Sequence, residues 1–429
     1  MSYDKPGHLI RRQGLNGHEA HWVKMLEAPV GNVATPDLLL PTNPVPEFMQ
    51  SMGYAEVNVP HTFEPDLMHG DKLTMFDGKE LTFYLFREKI LKFPFDGGSY
   101  PGPTYRVPRG VIFHAKTHGH GPPPHTIHWH GIEPTPANDG VGHNSFEIGN
   151  YTYQWQPNHI GTYFYHCHKN TIQHFKFGLY GGLILEPPDA FEQGPGKNPG
   201  GYPRRTAANL KDFPQFPGFV GGTLESGDPH AQTVPYDVEA FWVIDDVDSV
   251  WMETMKNPRA TLPRAGSKPG VNDRFTKGDF HDYNPDYFVV TGANFPGTTF
   301  GSADLAPGLT IPAPLNSGVA GMQISIQAKV NQTVLVRGVC AAYTHLRITF
   351  PVDTVVIAAD GRSMGIPPYD RYNRPFLVPA GQVIDLDTAE RKDFLFRTTE
   401  PLNSFAKIEY LSSRGETLIF TGRIPIQVN

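Results

Sequence analysis

From Lys79 onward, glycine and proline cut the chain into short runs of β-branched and aromatic residues, and this limits the possible folds more than any other feature. The runs KELTFYLFREKI, TYRVPRGVIFHA, HTIHWHGI, YTYQWQP, GTYFYHC and LYGGLILEPP are too brief for long helices and have the spacing of a β-sandwich. With 44 glycines and 42 prolines among 429 residues, turns are plentiful. Residues 70–190 therefore read as one Greek-key sandwich. Residues 1–69, rich in Pro, Asn and Gly without periodicity, read as an extended N-terminal arm. Residues 191–235 carry GPGKNPGGYPRR and FPQFPGFVGG, which no inner strand tolerates, and read as a linker. A second series of strands, from DVEAFWVIDDV to ETLIFTGRIPIQV, repeats the first style over residues 236–429. The expectation is an all-β protein of two Greek-key β-sandwich domains.

The formal net charge is −7, with a pI near 6.2, so there is no general attraction for nucleic acid or an anionic membrane. No run approaches the roughly 18 apolar residues of a membrane span, and the start MSYDKPGHLIRRQG lacks the apolar centre of an export signal. The charged stretches DDVD and KPGVNDRFTKGDFHD read as solvated loops. Neither a nucleophile elbow, nor a phosphate-binding glycine loop, nor a zinc-protease helix occurs. There are two cysteines: Cys340, among small apolar residues, reads as a buried structural thiol, and Cys167 stands between two histidines.

That second cysteine points to metal chemistry. A trigonal copper site takes two neutral imidazoles and one thiolate, with a weak or absent fourth ligand on its axis. His125 in HTIHWHG, with Cys167 and His174 in YHCHKNTIQHFKFGLYGG, offers that set. Leu179, five residues beyond His174, stands where an axial ligand is expected and has no donor atom, which implies a three-coordinate site of raised potential. In a strand, residues i and i+2 share a face, so His128 and His130 project together, as do His166 and His168, while Cys167 faces the other way. Zinc would more usually pair the thiolate with a second cysteine, and none is near. Single histidines elsewhere, including His8, His18, His21, His61, His69, His230, His281 and His345, read as structural, and His143 and His159 as loop residues. The aromatic run TYFYHCH reads as core packing.

HTIHWHG followed by YFYHCHKNTIQHFKFGLYGGLI resembles the His-x-x-His-x-His-Gly and His-Cys-His motifs of multicopper oxidases, the laccase-like branch of the cupredoxin superfamily. The resemblance implies two cupredoxin-like domains with a type 1 copper in the first. It assigns His125, Cys167 and His174 to that copper, His128 to a type 2 copper, and His130, His166 and His168 to a type 3 pair. Asp139 resembles the family's acidic residue near the type 2 copper, where it manages protons and water. The implied partners are a reducing substrate or an electron-donor protein, and dioxygen. The implied location is periplasmic or secreted, with an export signal outside this sequence.

Two departures stand out. KNTIQ puts five residues between His168 and His174, where the family usually has three. The family's three-copper cluster uses eight histidines, whereas this domain supplies four. Three solutions stay open: a homo-oligomer in which two chains pool their histidines, a contribution from His114, His118 and His120, or no trinuclear cluster at all. The first two favour an oxidase. The third leaves an electron-transfer protein, or an enzyme with one further metal.

Overall fold

The structure is a computed structural model describing residues 9–11, 65–88, 100–108, 113–119, 125–132, 134–141, 150–155, 157, 159–169, 171–186, 204–206, 210, 212–216, 233–253, 283–294, 324–365, 373–412 and 417–429. The strands of the first sandwich are β1 (Leu9–Arg11), β2 (Pro65–Thr74), β3 (Glu80–Glu88), β4 (Gly102–Pro108), β5 (Phe113–Gly119), β6 (His128–His130), β7 (Asn150–Trp155), β8 (Gly161–His166) and β9 (Tyr180–Glu186). One sheet runs β1-β4-β9-β8-β6 and the other β3-β2-β5-β7. A short helix, α1 (Thr171–Lys176), joins β8 to β9, and Gly178 at φ +107° ends it in the left-handed conformation that glycine adopts without strain.

Within the stretch read as a linker, β10 (Arg204–Thr206) pairs with β11 (Thr233–Pro235). The second sandwich begins with β12 (Val238–Val247), the helix α2 (Ser249–Glu253), β13 (Tyr287–Val290), β14 (Ala293–Asn294), β15 (Ile326–Ala328) and β16 (Val334–Cys340). It continues with β17 (His345–Thr349), β18 (Thr354–Ala359), β19 (Arg362–Ser363), β20 (Phe376–Val378), β21 (Val383–Leu386), β22 (Arg391–Phe396), β23 (Leu402–Leu411) and β24 (Leu418–Val428). Its larger sheet runs β14-β13-β12-β16-β22-β18-β19, with β20 beside β18, and its smaller sheet runs β15-β24-β23-β17-β21. Among the described residues the molecule is thus almost entirely strand, as the glycine-punctuated runs require.

Three of the apolar clusters among the described residues bear on the site. Trp242, Phe288, Phe350 and Phe394 lie in the second sandwich, while Trp129, Tyr153, Trp155 and Tyr165 pack around Cys167 in the first. The third cluster joins the two: Phe83, Phe164, Phe175 and Tyr180 of the first sandwich meet Phe241, Val243, Trp251 and Val339 of the second. The backbones approach so closely that a Cβ at Gly161 would stand 1.9 Å from the Gly361 carbonyl oxygen, so only glycine fits there. Thr162, beside it, donates to Asp393 at 3.0 Å and accepts from Arg337 at 2.9 Å.

The DDVD stretch departs from its expected place in solvent. Asp245 and Asp246 are 0% exposed and Asp248 is 2% exposed. Asp245 and Asp246 receive the Lys176 ammonium at 2.5 and 2.6 Å, and Lys176 also donates to the Ala341 carbonyl at 3.3 Å. Tyr100 and Tyr180 donate to Asp245 at 2.6 Å each, and Tyr283 donates to Asp246 at 2.6 Å. Backbone N–H groups of Tyr343 and Thr344 complete the shell of Asp246. Burial acts to lower the Lys176 pKa, but the two carboxylates outweigh it and hold the ammonium charged. A lone sequence cannot show such a pairing, because its lysine lies about seventy positions away in the helix that follows the His-Cys-His motif. KPGVNDRFTKGDFHD lies outside the described residues.

Cys340 is buried, 0% exposed. His345, expected to be structural, bridges two strands: its Nδ1 lies 2.5 Å from Asp387 and its Nε2 2.9 Å from Asp385. Burial lowers its pKa, but the bonds to Asp387 and Asp385 outweigh that and leave it raised above 6.5. Asp385 is correspondingly lowered below 3.8, with desolvation opposing and His345 prevailing.

Two predictions follow from these ion pairs. Lys176→Met strands two buried carboxylates and should lower the urea-unfolding free energy by about 3–5 kcal/mol; a loss under about 1 kcal/mol would show that the tyrosine hydroxyls suffice. The His345 contribution is full below its unfolded pKa and disappears as pH rises through the raised folded value; that of Asp385 disappears as pH falls through its depressed value. The stability difference between the wild type and His345→Gln should therefore be largest between those limits, at about 0.5–1 kcal/mol for so exposed a pair of carboxylates, as measured by denaturation at stepped pH.

Candidate metal centres

β8 delivers its residues alternately to two sides. Tyr163, Tyr165 and then Cys167 enter the core of the first sandwich, while Phe164 and His166 turn the other way. Cys167 donates its N–H to the Leu179 carbonyl at 3.0 Å, and Leu179 donates to the His174 carbonyl at 3.1 Å, so the loop around α1 closes on itself. His125, just before β6, completes a trio: the Cys167 Sγ lies 3.6 Å from His125 Nδ1 and 3.2 Å from His174 Nδ1. All three are buried, at 0%, 4% and 1% exposure for Cys167, His125 and His174.

The spacing passes a simple test of fit. A metal holding thiolate at about 2.3 Å and imidazole at about 2.0 Å leaves those donors about 3.5 Å apart. Burial pushes the Cys167 thiol up to about 11, only partly offset by the backbone of Thr126 and Lys169. The thiol therefore holds its proton until a cation displaces it, so metal uptake must release a proton. Leu179, at 0% exposure in the same cluster as Cys167, offers no donor.

On the other side of β8, register sets the second group. β6 pairs with β8 so that His128 stands opposite His166 and His130 opposite Phe164. Ligand atoms of His128, His130 and His166 lie within 4.8 Å of one another. His130 Nδ1 and His166 Nε2 are 3.3 Å apart, about the separation of two imidazole nitrogens on one tetrahedral metal. His168 stands outside this trio, its ring 5.0 Å from that of His128. Neutral imidazole is the ligating form, and the site enforces it: His130 is pulled down to about 3 by burial, then by the charge of Arg391 and the neighbouring histidines. Burial first and the other imidazoles second also lower His166.

The outer contacts orient the rings. His128 Nδ1 is 2.7 Å from the Asp139 carbonyl and 3.1 Å from its carboxylate, which leaves Nε2 for a metal. His166 Nδ1 is 2.9 Å from the Cys167 carbonyl, with the same consequence. Asp139 can come so near because Gly140 follows it at φ +70°; a Cβ there would lie 1.8 Å from the Ile127 carbonyl oxygen. The acidic residue thus touches a histidine ring rather than acting at a distance.

The second sandwich brings a cation, Arg391, to this face. Arg391 stacks over Tyr163 and Phe164 at 5.9 and 5.5 Å and hydrogen-bonds the carbonyls of Ala389 and Asp360. The described histidine of that sandwich, His345, lies on β17 in the far sheet. His114 and His118 occupy β5 positions opposite Gln154 and Asn150, whereas His120 and His143 lie outside the described residues. His159 is partly buried. The sequence reading passed over Arg391, Lys176 and Tyr84; Tyr84 lies edge-on to His125 and His174 at 6.4 and 5.8 Å. Only long-range contact reveals them: Arg391 and Tyr84 lie outside the metal-binding motifs, and Lys176, though two residues beyond His174, is not of a metal-ligating type.

Comparison with known proteins matches these features. Residues 92–190 fit the family model for multicopper oxidase. An L-ascorbate oxidase of Cucumis sativus is 39% identical over 102 residues, covering 21% of this chain and 16% of that protein. Copper resistance protein A of Pseudomonas syringae pv. tomato is 36% identical over 93 residues, covering 21% of this chain and 15% of that protein. The match therefore spans about a sixth of the length of these relatives. The crystal structure of a blue copper oxidase from Nitrosomonas europaea superposes with a TM-score of 0.51 at 18% identity, covering 86% of this chain and 85% of that one, which is a likeness of fold. Residues 92–190 of this chain thus match the multicopper oxidase family model, within a chain whose fold is like that of a blue copper oxidase.

Proposed function

We propose that the protein is a copper-dependent oxidoreductase that takes single electrons at a type 1 copper held by His125, Cys167 and His174. They pass to a second copper site at His128, His130, His166 and His168, with dioxygen as the acceptor. The observation that carries this reading is the division of donors across β8: a thiol with two imidazoles on one side and a histidine group on the other. Copper supplies the one-electron redox chemistry there. Single peptide bonds join Cys167 to His166 and to His168, so the two donor groups share one short covalent path. Asp139, held against His128, is placed to take up or release the protons that reduction of dioxygen consumes.

The described histidines of one chain do not reach the number a three-copper cluster needs, so in this reading a second copy of the chain supplies the rest in a homo-oligomer. Copper loading outside the cytoplasm makes a periplasmic or secreted location part of the same proposal. The positive charge of Arg391 acting on His130 favours a second reading: a blue-copper electron carrier without a complete cluster.

Metal content and turnover separate the two. Copper-loaded protein that holds two or more coppers per chain, shows a non-blue copper signal by EPR and consumes oxygen with a phenol supports the oxidase. One copper per chain with only a blue signal and no oxygen uptake identifies the carrier. Cys167→Ser should abolish the intense thiolate band, and a variant that stays blue removes the assignment of this cysteine. Leu179→Met should lower the copper potential in a redox titration, because a thioether on the axis stabilises the oxidised metal relative to an empty position; an unchanged potential would place Leu179 off the axis.

A further inference from the structure

The thiolate site is sealed. Cys167 and Leu179 are 0% exposed, His174 is 1% and His125 is 4%, so a donor in solvent has almost no direct contact with the ligand imidazoles. One side chain, Tyr84, both reaches solvent and lies against the two rings. Tyr84, on β3, is partly buried and lies edge-on to His125 at 6.4 Å and to His174 at 5.8 Å. It also meets Phe177 at 5.6 Å, and its N–H donates to the Phe177 carbonyl at 2.8 Å. This last bond ties an outermost strand of the smaller sheet to the loop that carries His174. Phe83 and Leu85, on either side of Tyr84, are fully buried, so strand alternation turns Tyr84 away from the core they enter.

We propose that Tyr84 is the residue through which reductant electrons reach the thiolate site, and that its donors are small aromatic one-electron reductants that dock against its ring. The inference rests on the type 1 copper reading above. A phenolic donor in contact with Tyr84 gives up one electron and releases its proton to water; the electron crosses the tyrosine ring to His125 or His174 and reduces one copper(II) to copper(I). Tyr84 is not consumed. The ring provides a contact of π-electrons between the donor and the imidazoles, which an aliphatic side chain of similar bulk does not. Ile172, at 43% exposure on α1, is exposed too, but its aliphatic side chain has no π-electrons to offer a donor.

The test is anaerobic reduction of the copper-loaded full chain by hydroquinone, followed by bleaching of the blue band in stopped flow, in wild type, Tyr84→Leu and Tyr84→Phe. Absorption and EPR spectra and the copper potential should be the same in all three, which shows that the site itself is intact. The expected result is a second-order rate constant about tenfold or more lower in Tyr84→Leu, with Tyr84→Phe within about threefold of wild type. A smaller fall, or a faster reaction, in Tyr84→Leu overturns the proposal, since donors then reach the imidazoles another way. Equal slowing in Tyr84→Phe overturns the ring as the path. A wild-type protein that never turns blue overturns the copper reading itself, whatever the variants do, so the two failures are distinguishable.

Discussion

Lys176 lies between the two sandwiches at 2% exposure, and an ammonium there is tolerable only because Asp245 and Asp246 meet it at 2.5 and 2.6 Å. Removing either side leaves a charge in a medium that cannot solvate it. Lys176 is two residues beyond His174, so the same contact that joins the sandwiches also holds the end of the ligand loop. The Tyr343 hydroxyl on the Ile172 carbonyl adds a second tie to the same helix. The longer KNTIQ segment therefore has a structural use: it forms the turn of helix that reaches across to the second sandwich. The second sandwich thus fixes the position of a candidate ligand in its neighbour.

Strand alternation does the rest. Because successive side chains on β8 point to opposite faces, one six-residue strand and the cysteine after it serve two donor groups without either obstructing the other. Cys167 faces an aromatic core, which shields it from water and keeps its thiol protonated in the absence of a metal. His166 faces the junction of the sandwiches, where burial and the charge of Arg391 keep the imidazoles neutral. The same chemistry that makes histidine a poor base here makes it a good ligand.

Much of this was legible in the chain itself. The glycine- and proline-punctuated runs require strands, and period-two alternation separates Cys167 from its flanking histidines. The spacing of HTIHWHG and YHCHKNTIQH singles out the candidate donors. What was misread was charge: DDVD looks solvated in isolation, yet Asp245 and Asp246 are fully buried. Burial of a carboxylate depends on a distant partner, and Lys176 gives no local sign of being one. Tyr84 was equally silent, because a tyrosine in KELTFYLFREKI is ordinary strand material until its ring is seen beside two imidazoles.

The sequence by itself determined the strand pattern and named the candidate donors, since both follow from short-range periodicity and the chemistry of side chains within a few positions. Only the tertiary structure decided which candidate donors converge, that the charge of Arg391 acts on the second group, and that Tyr84 lies against the rings of the sealed one. Those facts arise from contacts between segments tens to hundreds of residues apart, where packing and desolvation, not local pattern, set the free energy.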